Sequence, residues 1–143
     1  MEITTKGRYA VRVMVDLARS GDDFIALSDI AARQKISQKY LEKIISSLVK
    51  ANLVISMRGA TGGYKLAKDV AAYNVKEILD AMGESTKVAS CAGEEKCPMA
   101  ESCDTMGVWH TLNQLIAQYL EGVSLKQLIE KQSKDKRTKD GCS

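Results

Sequence analysis

Apolar residues recur at intervals of three and four positions through the first third of the chain, which predicts a series of short helices. The first helix is expected from Thr4 or Thr5 to about Ser20, because the Gly21-Asp22-Asp23 run that follows favours a turn. Its predicted buried face consists of Ala10, Val13, Met14, Leu17 and Ala18.

A second and a third helix are expected close together. Ser28 is expected to cap a helix from Asp29 to Gln34, and Ser37 is expected to cap one that reaches about Ala51. The third helix has an inner stripe of Leu41, Ile44, Ile45 and Leu48, and an outer side of Lys39, Glu42, Lys43, Ser46 and Lys50. Two helices with a short connection are typical of a helix-turn-helix. A small helical bundle with solvated lysines has the same pattern, so this segment leaves both interpretations open.

The next segment favours DNA binding. Two short strands, Val54–Met57 and Tyr64–Ala67, are expected on either side of the glycine-rich run Arg58-Gly59-Ala60-Thr61-Gly62-Gly63. A β-hairpin directly after the third helix is typical of a wing. Its glycines permit positive φ and let backbone N–H groups approach phosphates, and Arg58 is suited to a minor groove. A nucleotide phosphate loop is disfavoured, because the Lys-Ser/Thr ending is missing and no helix follows.

The second half predicts three more helices. Asn74 and Glu77 resemble a capping box for a helix from Val75 to Met82, which Gly83 ends. A long helix is expected from Asp104 to Leu120, and Ser124 with Gln127 is expected to cap a last helix through about Lys131. The long helix is too broadly apolar for one small domain to cover, which predicts a symmetric homodimer. The predicted dimer residues are Val108, Trp109, Leu112, Leu115, Ile116 and Tyr119.

Charge is divided unevenly along the 143 residues. Residues 1–68 carry twelve Lys or Arg against six Asp or Glu, whereas residues 69–132 carry five against ten. The basic first part suggests a polyanionic partner, although ordinary solvated surface charge is the simpler alternative. Charged residues follow Met1 and no apolar run reaches spanning length, so we expect no membrane helix, no secretion signal and a cytoplasmic location.

Three cysteines, Cys91, Cys97 and Cys103, are separated by five residues each in a loop that contains Gly and Pro. Thiolates are soft metal ligands, and in the cytosol clustered cysteines favour a metal or redox site over a disulfide framework. An iron–sulphur centre is the preferred interpretation, while zinc or a thiol switch stays open. Candidates for a fourth ligand are His110, Asp104, a carboxylate of a partner chain, Cys142 and an exogenous ligand.

These patterns define a mainly α fold, a winged helix-turn-helix with a small β-hairpin wing and a long C-terminal dimerisation helix. The expected division is a DNA-binding domain at 1–83, a cluster-binding loop at 84–103, the dimerisation and terminal helices at 104–132, and a disordered tail at 133–143. An enzyme is disfavoured, because a single histidine, no paired-carboxylate site and no nucleotide loop leave little for catalysis.

Several motifs together are similar to those of the IscR-like family of winged-helix transcription regulators. They are Lys6-Gly7-Arg8-Tyr9-Ala10, Ser37-x-x-Tyr40-Leu41-Glu42, Arg58-Gly59-x-x-Gly62-Gly63-Tyr64 and the cysteine trio. The family also includes nitric-oxide sensors and cysteine-metabolism repressors, and the repressors lack the trio. The resemblance therefore favours the cluster-binding branch.

The resemblance implies a homodimer that binds double-stranded DNA at a pseudo-palindrome and senses iron–sulphur, redox or nitric-oxide status through a cluster, with [2Fe-2S] expected. It implies that Cys91, Cys97 and Cys103 are ligands, and it implies a role in controlling cluster-assembly or sulphur and metal genes. The expected DNA-binding residues are Ser37, Gln38, Lys39, Tyr40, Glu42, Lys43, Arg58, Gly59, Gly62 and Gly63. Alternatives are a winged-helix repressor of sulphur metabolism that is cluster-free or uses a zinc or thiol switch, and a cluster carrier.

The chain departs from the family pattern at three positions. Met106 stands where IscR-type proteins usually have a histidine ligand, and Arg8 stands where the nitric-oxide sensors have an aspartate. Lys43 replaces a frequent glutamine, which favours contact with guanine or a phosphate.

Overall fold

A computed structural model describes residues 1–89, 97–99 and 101–134, with side chains through residue 131. Three helices come first, a β-hairpin follows them, and three more helices complete the described part of the chain. The helices are α1 (Thr5–Arg19), α2 (Leu27–Gln34), α3 (Gln38–Lys50), α4 (Val75–Ala81), α5 (Met106–Glu121) and α6 (Leu125–Lys134), and the strands are β1 (Val54–Met57) and β2 (Gly63–Leu66). A 3₁₀ turn, which the sequence did not predict, spans Val70–Ala72.

Polar side chains fix the starts of three helices as predicted. The side-chain oxygens of Thr4, Ser37 and Asn74 accept hydrogen bonds from backbone N–H groups in the first turns of α1, α3 and α4. The prediction that Ser28 caps α2 is wrong, because this helix begins at Leu27 and Ala26 stands at its N-cap without a side-chain bond. The bridge between Ile25 and Tyr64 holds the entering chain extended, Ala26 is still extended, and the helix begins at the next residue.

The core lies between α1, α3, α4 and the first residue of α6. All five residues predicted for the buried face of α1 and all four of the α3 stripe are buried. Leu53, Val54, Tyr73, Ile78 and Leu125 complete the same cluster. Because apolar burial provides most of the driving force for folding, this cluster sets how the first three helices pack.

The hairpin is antiparallel, with Val54 opposite Leu66 and Met57 opposite Gly63. It is anchored to the helical unit by a bridge between Ile25 and Tyr64, in which each residue donates its N–H to the other's carbonyl at 2.9 Å. The predicted wing is therefore confirmed, and it is tied to the segment that enters α2.

Tyr73 connects the wing to α4 and is only 1% exposed. Its hydroxyl accepts from the N–H groups of Ala67 and Lys68, both at 2.9 Å, and donates to the carbonyl of Leu53 at 2.7 Å. Burial raises the pKa of this phenol, although the two N–H donors oppose that shift. One hydroxyl thus satisfies three backbone groups on both sides of the hairpin.

The last helix returns to the first domain. The N–H of Val75 donates to Val123, and the N–H of Leu125 donates to Tyr73, which fixes the start of α6 beside the start of α4. Ser124 and Gln127 form the predicted capping box. The helix continues to Lys134, past its predicted end, so the first two residues of the predicted disordered tail are helical. Residues 135–143 lie outside the described part of the chain.

The Tyr73 hydroxyl yields a stability prediction. Tyr73→Phe would leave the N–H of Lys68 without this partner, and it would leave the N–H of Ala67 and the carbonyl of Leu53 only their mutual 3.2 Å bond. We therefore expect a loss of about 1–3 kcal/mol of unfolding free energy in urea titrations. Tyr64→Phe is the matched control, since the Tyr64 hydroxyl makes no hydrogen bond within the described part of the chain and its loss should change stability little. Equal midpoints for Tyr73→Phe and the unsubstituted protein would contradict this assignment.

Candidate nucleic-acid interface and cysteine loop

The first two turns of α3 present a polar, solvent-exposed face. Ser37 caps the helix by accepting the Tyr40 N–H at 3.2 Å, which leaves its hydroxyl proton free to donate. Gln38, Lys39, Glu42 and Lys43 are all exposed. Side chains of this kind, at the start of the second helix of a helix-turn-helix, are suited to base edges and phosphates in a major groove.

Tyr40 differs from these neighbours, because it is half-buried. Its ring packs edge-to-face against Tyr9 of α1, with centroids 6.1 Å apart. The guanidinium of Arg12 lies 5.0 Å from the centroid of the same Tyr9 ring. Tyr40 therefore holds the start of α3 against α1, in addition to any contact its hydroxyl makes with DNA.

The turn before α3 is held by a network of charged and amide groups. Arg12 donates to the backbone carbonyl of Gln34 at 2.6 Å and to its side-chain oxygen at 3.2 Å. Gln34 in turn donates to the carboxylate of Asp16 at 2.7 Å, and Arg33 donates to both oxygens of that carboxylate. These bonds fix the C-terminus of α2, where Lys35 adopts a left-handed conformation with φ of 55°.

Asp16 is 7% exposed, and it is the buried charged residue among the described residues. Its two oxygens are satisfied by Arg33 and Gln34, as burial of a carboxylate requires. The hydrogen bond to Asp16 raises the pKa of Arg33 above its usual value. A single acidic residue within the apolar face of α1 is a weak sequence signal for this site, and the sequence-based prediction did not include Asp16.

The three wing glycines have different roles. Gly59 is exposed with φ of 117°, and space is open around it. Gly62 donates its N–H to the carbonyl of Gly59, and a Cβ there would collide with the carbonyl of Met57. Gly63 has φ of 151°, and a Cβ there would collide with the backbone of Ile25. Gly62 and Gly63 are thus required by the hairpin itself, while Gly59 beside the exposed Arg58 can approach a phosphate closely.

Two of the three cysteines predicted as ligands are described. Cys97 and Cys103 are free and half-buried, and Cys91 lies outside the described residues, as does Cys142. A hydrogen bond between the Cys103 thiol and the Thr105 hydroxyl, at 3.3 Å, lowers the pKa of that thiol. A more acidic thiol gives more thiolate at neutral pH, which is the form that binds metals.

His110 is exposed on α5 and faces the segment between α4 and the cysteine loop. It lines a depression of about 250 Å³ together with Lys76, Thr86, Lys87, Asn113, Gln114 and Ala117. Among the described residues, no three His, Cys, Asp or Glu side chains converge on a point where a metal could bind. The ligand set expected from the sequence thus stays a prediction.

The apolar side of α5 is uncovered. Val108, Leu115 and Tyr119 are more than half exposed, and Trp109 and Leu112 are 39% and 37% exposed, while Ile116 is half-buried. Large apolar side chains in one continuous stripe on a helix mark an interaction surface. None of the described helices is long and apolar enough to span a bilayer.

Known proteins share both the sequence and the fold. The Rrf2 family profile, described as an iron-dependent transcriptional regulator, matches residues 3–131. The HTH-type transcriptional regulator IscR of Yersinia enterocolitica is 41% identical over 133 residues, covering 92% of this chain and 81% of that protein.

Two solved structures support the same assignment. The global cysteine regulator CymR of B. subtilis superposes with a TM-score of 0.78 at 29% identity, covering 92% of this chain and 98% of CymR. IscR of T. potens has a TM-score of 0.76 at 30% identity, covering 97% of this chain and 93% of that protein.

The family profile and the IscR relative, on a fold with a helix-turn-helix and an anchored wing, define a DNA-binding transcription regulator of the winged-helix class rather than an enzyme. The chain belongs to the Rrf2 family. This membership confirms the predicted fold and the resemblance to IscR-like regulators.

Proposed function

We propose that this protein is a homodimeric regulator whose affinity or preference for operator DNA depends on an iron–sulphur cluster held by Cys91, Cys97 and Cys103. The observation that carries the proposal is the order of the DNA-binding unit, the cysteine loop and α5 along the chain. α5 begins at Met106, three residues after Cys103, and its apolar side is uncovered. One continuous segment therefore leads from the DNA-binding unit through the cysteines into the dimer helix.

The DNA contacts are assigned to α3 and the wing. The residues of α3 and its cap that would face a major groove are Ser37, Gln38, Lys39, Tyr40, Glu42 and Lys43. The wing residues that would lie at a minor groove are Arg58, Gly59, Gly62 and Gly63. Exposed lysines suit phosphates and guanine, and Glu42 would accept from a cytosine amine or disfavour other sequences. In a two-fold dimer these surfaces recur, which suits a pseudo-palindromic operator.

The cysteine chemistry fits a cluster at the positions that are described. Two free, half-buried thiols, one with a lowered pKa, are a suitable donor set for iron or another thiophilic metal. A bound [2Fe-2S] cluster would supply a group that oxidants, nitric oxide or iron scarcity can alter or remove. The protein would hold the thiolates, and the loop would differ in geometry with and without the cluster. Genes for cluster assembly or for sulphur and metal metabolism are the expected targets of such a regulator.

A second candidate is a regulator of sulphur metabolism that works without a cluster. Its specific support is the likeness in fold to a protein described as the global cysteine regulator of B. subtilis. In that case the thiols would act as a redox switch or remain bystanders. The two candidates differ in iron content, so they are separable by experiment.

Purification without oxygen distinguishes the cluster-dependent regulator from the cluster-free one. We expect visible absorbance together with stoichiometric iron and sulphide, and we expect both to fall in Cys97→Ala and Cys103→Ala but not in Ser102→Ala. His110→Ala should lower cluster stability if His110 is the fourth ligand. A colourless, iron-free protein after reconstitution would exclude the cluster proposal and favour the second candidate.

The wing assignment is tested with Arg58→Ala. Loss of this exposed guanidinium should weaken operator binding about tenfold, measured by fluorescence anisotropy. The slope of log affinity against log salt concentration should become shallower by about one, because one phosphate contact is lost. Lys126→Ala on α6 removes an equal charge far along the chain from the wing and serves as control. If both variants bind alike, Arg58 does not contact DNA.

The dimer assignment is tested with Leu115→Arg. A guanidinium in the apolar stripe of α5 would be desolvated against the partner, so sedimentation should show monomers at concentrations where the unsubstituted protein is dimeric. Gln114→Arg adds the same charge to the neighbouring exposed position and should remain dimeric. A dimeric Leu115→Arg would place the subunit interface elsewhere.

A further inference from the structure

The start of α1 has a capping arrangement that is divided between two distant parts of the chain. In a local capping box, the N-cap hydroxyl accepts from the N–H of the third helical residue, and a Glu or Gln at that third residue accepts from the N-cap N–H. In α1 the N-cap is Thr4 and the third residue is Gly7, which has no side chain. Only the first half of the box is local, since Thr4 Oγ1 accepts from the Gly7 N–H at 3.3 Å.

Glu84 supplies the other half from 80 positions away. The N–H of Thr4 donates to its Oε2 at 3.3 Å, and the hydroxyl of Thr4 donates to its Oε1. A Cβ on Gly7 would lie 2.8 Å from the Glu84 Cγ, Cδ and Oε1 atoms. Glu84 therefore occupies the space that a capping glutamate at position 7 would fill. A carboxylate also interacts favourably with the N-terminal end of a helix dipole.

Glu84 is the first residue of a short strap, residues 84–89, that leads into the cysteine loop. The start of the strap is fixed to α4 by the bond from its N–H to the carbonyl of Leu79 at 3.0 Å. Further along the strap, the N–H of Val88 donates to Oδ1 of Asn113 on α5 at 2.8 Å. The strap thus joins the first turn of α1 to the long apolar helix.

The first turn of α1 is close in sequence to the residues that hold the recognition helix. Tyr9 packs on Tyr40 of α3, and Arg12 binds the carbonyl of Gln34 at the end of α2. Release of the Glu84 carboxylate would remove its half of the cap from the turn that precedes both contacts. A change in the strap can therefore reach α3 through α1.

We propose that Glu84 is a positioning residue that completes the cap of α1 in place of the missing side chain at Gly7, and that it couples the cysteine loop to the recognition helix. The contact itself is independent of any cluster. The coupling rests on the proposed function, in which the state of the cysteine loop changes DNA binding.

The test compares Glu84→Ala with the double variant Glu84→Ala/Gly7→Glu, which restores a local capping box with no link to the strap. Amide hydrogen exchange at residues 4 and 7 should be about fivefold faster in Glu84→Ala, and the double variant should recover most of that protection. Glu121→Ala, an exposed change on α5, should leave these amides unaffected.

Operator affinity then distinguishes a Glu84 that couples the cysteine loop to α3 from a Glu84 that only caps α1. The ratio of operator affinities between the cluster-loaded and cluster-free forms should approach one in both Glu84→Ala and the double variant, although the double variant has its helix cap restored. A double variant that retains the ratio of the unsubstituted protein would overturn the proposal, because Glu84 would then be a cap and nothing more.

A protein that binds no cluster would refute the proposed function. In that case the role of the strap is tested by a change on α5, where the strap binds through Val88. Asn113→Ala removes the acceptor for Val88 on α5, so it should speed exchange at residues 4 and 7 if the strap transmits its position to α1. Gln118→Ala is the control on the same helix. Unchanged exchange in Asn113→Ala would overturn the proposal without reference to iron.

Discussion

The hydrogen-bond network around the buried carboxylate of Asp16 orients the end of α2 and the turn into α3, the predicted recognition helix. A carboxylate at 7% exposure needs partners, and both its main ones, Arg33 and Gln34, come from the last turn of α2. The C-terminus of α2 is therefore fixed against α1 by a polar contact with defined geometry. Apolar packing alone would hold the same helices together, but it is non-directional and would leave the turn into α3 less precisely oriented.

This constraint explains why α1, which reads no DNA in the proposed assignment, is central to the interface. It contributes Asp16 and Arg12 to the end of α2, and Tyr9 to the start of α3. The wing is fixed to the same unit through Ile25, on the segment that enters α2. The predicted recognition helix and the wing are thus both anchored to α1 and to the segment around α2.

The sequence predicted the parts whose signals are local. The apolar faces of α1 and α3 and the caps Ser37 and Asn74 lie within one or two helical turns of the residues they organise, and the structure confirms them. The start of α2 was misplaced because a bridge to Tyr64, 39 positions from Ile25, decides where that helix can begin. Tyr73 shows the same limit, since its three hydroxyl partners, Leu53, Ala67 and Lys68, directly flank the two strands of the hairpin and do not lie in its own turn.

Gly7 shows most clearly that a local sequence signal can miss a distant partner. Read locally, a glycine at the third position of a helix weakens the helix and lacks the side chain that a capping box needs. In the folded chain that gap is filled by Glu84, so the local defect and the distant carboxylate form one functional cap. A helix that is capped by its own sequence starts independently of the rest of the protein. A helix that receives half of its cap from the strap before a cysteine loop has a first turn that is fully capped only while that strap is docked. This dependence is the physical basis of the proposed coupling between the loop and α1, which packs on the predicted recognition helix.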